Sequence, residues 1–203
     1  AKALALGGAK VLVLDADLRK PRLHRMIKAK NITGLTSVVL GERTAAEVIH
    51  EVPNVPSLDL ITSGPLPPNP PELFGKASFA NLLEEARKNY DWILIDSSPA
   101  ASVTDPVICA RLAELLVIVV EYGSTKRQVA REAVKLLART GTHIAGVLLN
   151  KVDIVSDPYY QRGYYAYSQY SSYGDAAAAA ASGEHPAATS GARRAAKPKG
   201  KAG

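Results

Sequence analysis

Val11-Leu12-Val13-Leu14-Asp15-Ala16-Asp17-Leu18-Arg19-Lys20-Pro21 decides how the rest of this 203-residue chain is read. A run of apolar, β-favouring residues leads into two acids, and two bases follow before a proline. A continuous apolar run of this kind predicts a strand covered on both faces, as in a parallel sheet packed between helices. In open α/β sheets ligands bind beyond the carboxyl ends of the strands, so Asp15 and Asp17 stand where a ligand would lie. One carboxylate there can hold magnesium directly or through water, and another can accept a proton from an attacking hydroxyl. Arg19 and Lys20 can steady anionic phosphate oxygens. An ordinary Asp-rich turn has the same composition, so the reading depends on whether the pattern recurs.

It recurs in Trp92-Ile93-Leu94-Ile95-Asp96-Ser97-Ser98-Pro99. Apolar residues again lead to an acid at the strand end, the Walker B pattern in which an Asp orients the Mg²⁺ shell of a nucleotide. Gly146-Val147-Leu148-Leu149-Asn150-Lys151-Val152-Asp153 is a third such segment. Its Asn150 is placed to read a purine edge, although Asn and Asp also favour turns. Leu58–Ile61 and Leu115–Val120 read as further strands. Pro71–Asn89 carries Leu73, Phe79, Leu82, Leu83 and Ala86 at helical spacing. Thr125–Thr140 carries Val129, Ala133, Val134, Leu136 and Leu137, and Gly141 closes it. Alternating strands and helices predict an α/β domain with a mainly parallel sheet and helices on both faces.

A nucleotide-binding domain of this kind needs a loop G-x-x-x-x-G-K-[ST], whose backbone N–H groups cradle phosphates, and no segment of the chain fits. Gly75-Lys76-Ala77-Ser78 lacks the earlier glycine and falls within a helical pattern. The chain opens on Ala1-Lys2-Ala3-Leu4-Ala5-Leu6-Gly7-Gly8, which reads as the last turns of a helix closed by glycine. The expectation is a fragment, with the cradling loop upstream of Ala1.

Composition narrows the class. Apolar residues make up 47% of the chain, enough for a globular core. The longest apolar run, Leu115–Val120, is far too short to cross a bilayer, and no basic-then-apolar leader is recognisable. The single Cys109 forms no intrachain disulfide and no cysteine-rich zinc site, which suits a reducing cytoplasm; it reads as a small buried helix residue. The formal charge is +6, of which the segment from Asp157 onward contributes six bases against three acids. Seven of the nine tyrosines, Tyr159, Tyr160, Tyr164, Tyr165, Tyr167, Tyr170 and Tyr173, fall in one stretch without Leu, Ile or Val. With no apolar partners these rings are expected to be exposed, as adhesive surface or as a bank of phosphate acceptors. The expected organisation is a domain over 1–155, the tyrosine cluster over 156–174 and a disordered Ala-rich, basic tail over 175–203.

Together these segments resemble the bacterial tyrosine kinases (BY-kinases) of the exopolysaccharide and capsule type. Val11–Pro21 resembles the family's second Walker motif, D-x-D-x-R after a hydrophobic strand, and Ile93–Pro99 resembles its Walker B. Ser63-Gly64-Pro65-Leu66-Pro67-Pro68-Asn69-Pro70-Pro71-Glu72-Leu73 resembles a Pro-rich segment typical of the family and is the most specific match. The tyrosine stretch resembles its C-terminal acceptor cluster. The resemblance implies a P-loop NTPase-like fold related to the septum-positioning and chromosome-partitioning ATPases, with ATP and Mg²⁺ as cofactors. It implies autophosphorylation within a ring-like homo-oligomer, a transmembrane polysaccharide chain-length regulator as adaptor, and a cognate phosphotyrosine phosphatase. The implied location is cytoplasmic, at the inner face of the membrane, with no specific nucleic-acid partner. By residue, it implies Asp15 and Asp17 as catalytic, Asp15 and Asp96 at the metal, Arg19 and Asn150 as nucleotide contacts, and the seven clustered tyrosines as acceptors. Two departures stand out: the first Walker motif is absent, so the chain alone is expected to be inactive, and Ser98 stands where the family usually has proline. A partitioning-type ATPase and a non-catalytic phosphate-accepting module are the competing readings; the first needs neither the Pro-rich segment nor the tyrosines, and the absent first Walker motif keeps the second open.

Overall fold

A computed structural model describes residues 1–153. The tyrosine cluster and everything after it lie outside the described residues. Strands β1 (Val11–Ala16), β2 (Ile49–Glu51), β3 (Leu58–Ile61), β4 (Trp92–Ser97), β5 (Leu115–Glu121) and β6 (His143–Asn150) alternate with helices, as the apolar runs predict. The helices are α1 (Lys2–Leu6), α2 (Leu23–Met26), α3 (Leu35–Val39), α4 (Ala45–Val48), α5 (Pro70–Phe74), α6 (Ala77–Arg87), α7 (Asp105–Leu112) and α8 (Arg127–Ala138). β3, β1 and β4 are parallel, and β2 adds an antiparallel edge, giving the order β2-β3-β1-β4. β5 and β6 form a separate parallel pair.

The single sheet expected from the sequence is therefore two. The free edges of β4 and β5 face one another across a slot of about 800 Å³ lined by Trp92–Ser98 and Leu115–Val119. β5 and β6 were expected to be covered on both faces. Instead Ile118 is the buried apolar residue of β5, while Val117, Val119, Val147, Leu148 and Leu149 are exposed. α8 covers one face through Val134 and Leu137. An apolar run encodes the tendency to be buried; the neighbours decide whether burial follows.

The main core is built on β1 and α6. Leu12, Leu14, Phe74, Phe79, Leu82 and Leu83 are all buried in it. The expected helix Pro71–Asn89 is two helices, separated at Gly75-Lys76, where Lys76 is extended. On one continuous helix Phe74 and Phe79, five residues apart, would point about 140° apart. The break brings both inward, and their rings pack edge-to-face at 5.1 Å. Gly75-Lys76 is thus an interhelical joint, and no phosphate-binding loop. α7 joins this core to the second sheet: Cys109 is buried on the first side, as expected of it, and Ala110 packs with Ile118 and Leu137 on the other.

The Pro-rich segment is stapled at its start. Leu35 N–H donates to Thr62 O at 2.7 Å, and Thr36 N–H donates to Ser63 O at 3.0 Å. Asn31 donates through Nδ2 to Ser63 Oγ at 2.8 Å and accepts from Gly64 N–H at 2.9 Å. Two glycines make this approach possible. A Cβ on Gly34 would lie 2.2 Å from Thr62 O and 2.5 Å from Gly64 N, and Gly64 itself is left-handed at φ +75°.

Candidate functional site: carboxylates at the ends of β1 and β4

The acids sit slightly earlier in the chain's geometry than the apolar runs suggested. Asp15 and Asp96 lie within their strands, because the β1–β4 ladder continues through Asp15↔Asp96 and Ala16↔Ser97. Backbone pairing does not depend on the side chain being apolar, so the ladder carries two carboxylates onto neighbouring strands. Asp15 is fully buried. Its Oδ2 accepts a hydrogen bond from Leu23 N–H at 3.0 Å, which docks α2 on the strand end. Its Oδ1 is buried with no hydrogen-bond partner. Burial raises the Asp15 carboxyl above its ordinary range; the Leu23 N–H and, more weakly, the Asp17 N–H oppose this, and the charges of Asp96 and Asp17 add to it. Asp96 lines the slot, and desolvation, then the charge of Asp17, raises it too. The three acids are thus close enough to act on one another electrostatically.

Asp17 shapes the following turn. Its Oδ1 accepts from Arg19 N–H at 3.2 Å and Lys20 N–H at 3.1 Å. Arg19 reaches away from the strand end. Its Nε donates to Asp105 Oδ2 at 2.7 Å, and a terminal nitrogen donates to Asp105 Oδ1 at 3.2 Å. Asp105 is fully buried at the start of α7 and also accepts from Ser98 Oγ at 3.3 Å. Ser98 therefore gives Asp105 an additional donor. Sequence reasoning missed Asp105, because an acid before Pro106 at a helix start looks like routine pairing with the helix dipole. It also passed over His24, whose Nδ1 is buried without a partner one residue after the Leu23 amide that holds Asp15. The only sequence signal for it was its place on the turn after Pro21.

Asn150 is at the end of β6. Its Oδ1 accepts from Lys151 N–H at 2.9 Å, and no hydrogen bond joins it to the carboxylates. Among the described residues no group of three His, Cys, Asp or Glu side chains is arranged as a metal cage. A pair of carboxylates is nonetheless what Mg²⁺ ordinarily takes from a protein, the rest of its shell being water and phosphate. The unpartnered Oδ1 of Asp15, beside Asp96, has the chemistry of such a site.

Parallel strands ending in paired acids define a class before they define a protein. The AAA domain family profile matches residues 1–144. Tyrosine-protein kinase CpsD of Streptococcus agalactiae is 35% identical over 154 residues, covering 75% of this chain and 67% of CpsD. The crystal structure of the chimerical protein CapA2B2 matches with a TM-score of 0.72 at 35% identity, over 75% of this chain and 67% of that one. The chain belongs to the bacterial tyrosine-protein kinases. The septum site-determining protein MinD of Pyrococcus horikoshii, solved with Mg-ADP, matches with a TM-score of 0.61 at 20% identity, a likeness of fold alone.

Proposed function

We propose that this chain is the larger part of the catalytic domain of an ATP-dependent protein-tyrosine autokinase regulating exopolysaccharide or capsule synthesis and export. The observation that carries the reading is the buried, unpartnered Asp15 Oδ1 beside Asp96 at the ends of adjacent parallel strands. Asp15 and Asp96 would hold Mg²⁺, and Asp17 would accept the proton from an attacking tyrosine hydroxyl. Bound ATP supplies the phosphoryl group. Arg19, anchored on Asp105 through two of its donors, keeps further N–H groups for phosphate oxygens. Asn150 is the adenine contact in this reading. Tyr159, Tyr160, Tyr164, Tyr165, Tyr167, Tyr170 and Tyr173 are the acceptors, reached from a neighbouring copy in a ring-like homo-oligomer. A transmembrane chain-length regulator holds the kinase at the inner face of the membrane, and a phosphotyrosine phosphatase resets it.

The sequence contains no phosphate-cradling loop, so this reading takes it from residues outside the 203. The slot supports that assignment. Its walls, Trp92–Ser98 and Leu115–Val119, belong to the facing edges of the two sheets, where a further strand would join them.

The test is tail phosphotyrosine formed by a version extended upstream through a Gly-Lys-Ser/Thr loop. Asp15→Asn and Asp96→Asn should each reduce it about a hundredfold or more while the melting temperature holds. Near-normal phosphorylation in both variants overturns the site. Micromolar MgATP binding by residues 1–203 alone overturns the external cradle.

A further inference from the structure

The segment from Leu18 to Gly41 contains six basic residues and no acid. The rest of 1–156 carries 13 basic and 16 acidic residues, so the positive charge of the domain is concentrated here. Arg19 is committed to Asp105. Lys20, Arg22, Arg25, Lys28 and Lys30 are all exposed, and among the described residues none has a carboxylate within ion-pair distance.

Two apolar side chains stand among these cations. Met26 and Ile32 are 79% and 68% exposed, the most exposed large apolar side chains of the described residues. Arg22, at the N-cap of α2, and Arg25 and Met26 within it are all exposed, while Leu23 and Ile27 are half-buried. Lys28 adopts φ +56°, the left-handed conformation that a helix end usually gives to Gly or Asn. The segment is fixed to the sheet at both ends, by Leu23 N–H on Asp15 and by Asn31 on Ser63 and Gly64.

We infer that residues 20–32 dock this domain directly on an anionic membrane surface, independently of any adaptor. Unpaired Lys and Arg side chains are attracted to anionic headgroups, and neighbouring apolar side chains enter the interface beneath them. Met26 and Ile32, two exposed aliphatic side chains set among five exposed cations, favour lipid as the occupant. A phosphotyrosine peptide brings rings as well as phosphates, so the test includes one. Lipid takes up both kinds of side chain at once.

Co-sedimentation of the full chain with phosphatidylglycerol–phosphatidylcholine vesicles, against pure phosphatidylcholine, tests this. Each basic side chain near an anionic leaflet is worth about fivefold in partition, so replacing Arg22, Arg25, Lys28 and Lys30 by Gln should weaken binding about a hundredfold or more. Met26→Ser with Ile32→Ser should weaken it about tenfold at unchanged salt dependence, because insertion is not screened. All six positions are exposed, and circular dichroism checks that the variants stay folded. Replacing Arg193, Arg194, Lys197, Lys199 and Lys201 by Gln is the control for the basic C-terminus and should leave most of the binding intact. Three results overturn the proposal: equal partition onto both vesicle types; loss of binding in the C-terminal variant while the four-Gln variant binds normally; or a synthetic phosphotyrosine peptide of residues 156–174 binding in a patch-dependent way while vesicles do not.

Discussion

Replacing Gly34 by alanine should cost more than most core truncations, although nothing is removed. The φ of Gly34 is 173°, an extended value that any residue adopts, so the penalty is purely one of contact. The added Cβ meets Thr62 O at 2.2 Å, Gly64 N at 2.5 Å and Thr62 C at 2.8 Å, all backbone atoms that no rotamer change can move. Overpacking costs about 1–3 kcal/mol. Forcing the segments apart also breaks Leu35 N–H to Thr62 O and Thr36 N–H to Ser63 O, at about 1 kcal/mol each. The total, roughly 3–5 kcal/mol, is a large part of a domain stability of about 5–15 kcal/mol. It corresponds to about a 10 °C fall in melting temperature for a domain of this size. Gly146→Ala is the internal control: its Cβ would meet nothing within 4 Å, and its change should stay within about 0.5 kcal/mol. Calorimetry gives both values, and hydrogen exchange at the Leu35 and Thr36 amides localises the effect. A Gly34→Ala protein melting within about 2 °C of the parent, with both amides still protected, refutes the reasoning.

Burial holds the Asp15 carboxyl above its ordinary range, so the folded chain keeps this proton longer than the unfolded chain. Stability from this source is present at low pH and is lost as pH rises from the ordinary carboxylate range through the raised value. Asp15→Asn should therefore gain in melting temperature relative to the parent over that interval, and Mg²⁺ should bind the parent more tightly as pH rises; identical pH slopes for parent and variant sink the idea. Asp105→Asn should lower tail phosphorylation in the upstream-extended protein about ten- to hundredfold by releasing Arg19. Arg19→Lys should act similarly, and the double variant should be no worse than either single one; additive losses would mean the two residues act separately. Burial pushes the Cys109 thiol up to about 12, so it should resist aromatic disulfide reagents at mildly alkaline pH until the chain is denatured. Rapid labelling of the native protein would contradict the packing of α7.

The strands were legible because Val11–Leu14 and Trp92–Ile95 are continuous apolar runs that alternate with helical spacing. Their acids were legible as a pair for the same reason. What the runs could not encode was context. Nothing in Leu115–Val120 distinguishes a strand flanked on both sides from one with a free edge. Gly75 looks like a tolerated helix glycine until the demand to bury both Phe74 and Phe79 is known. Asp105 and His24 escaped because their significance lies in contacts to Arg19 and α2 that are distant in sequence or local to one turn, and neither leaves a periodic trace. Gly34 and Gly64 are 30 positions apart, and only the fold shows that each is a glycine on account of the other.

The division of the sheet also bears on cooperativity. β5, α8 and β6 are attached to the rest through one helix, with Cys109 facing one core and Ala110 the other. In residues 1–203, where no strand of the described residues fills the slot between β4 and β5, a region joined by so narrow an apolar contact opens at lower free energy than the main core, as a separate foldon. Limited proteolysis of residues 1–203 should accordingly cut between α7 and β6 well before it reaches β1, and a version extended upstream by the strand proposed for the slot should lose that difference.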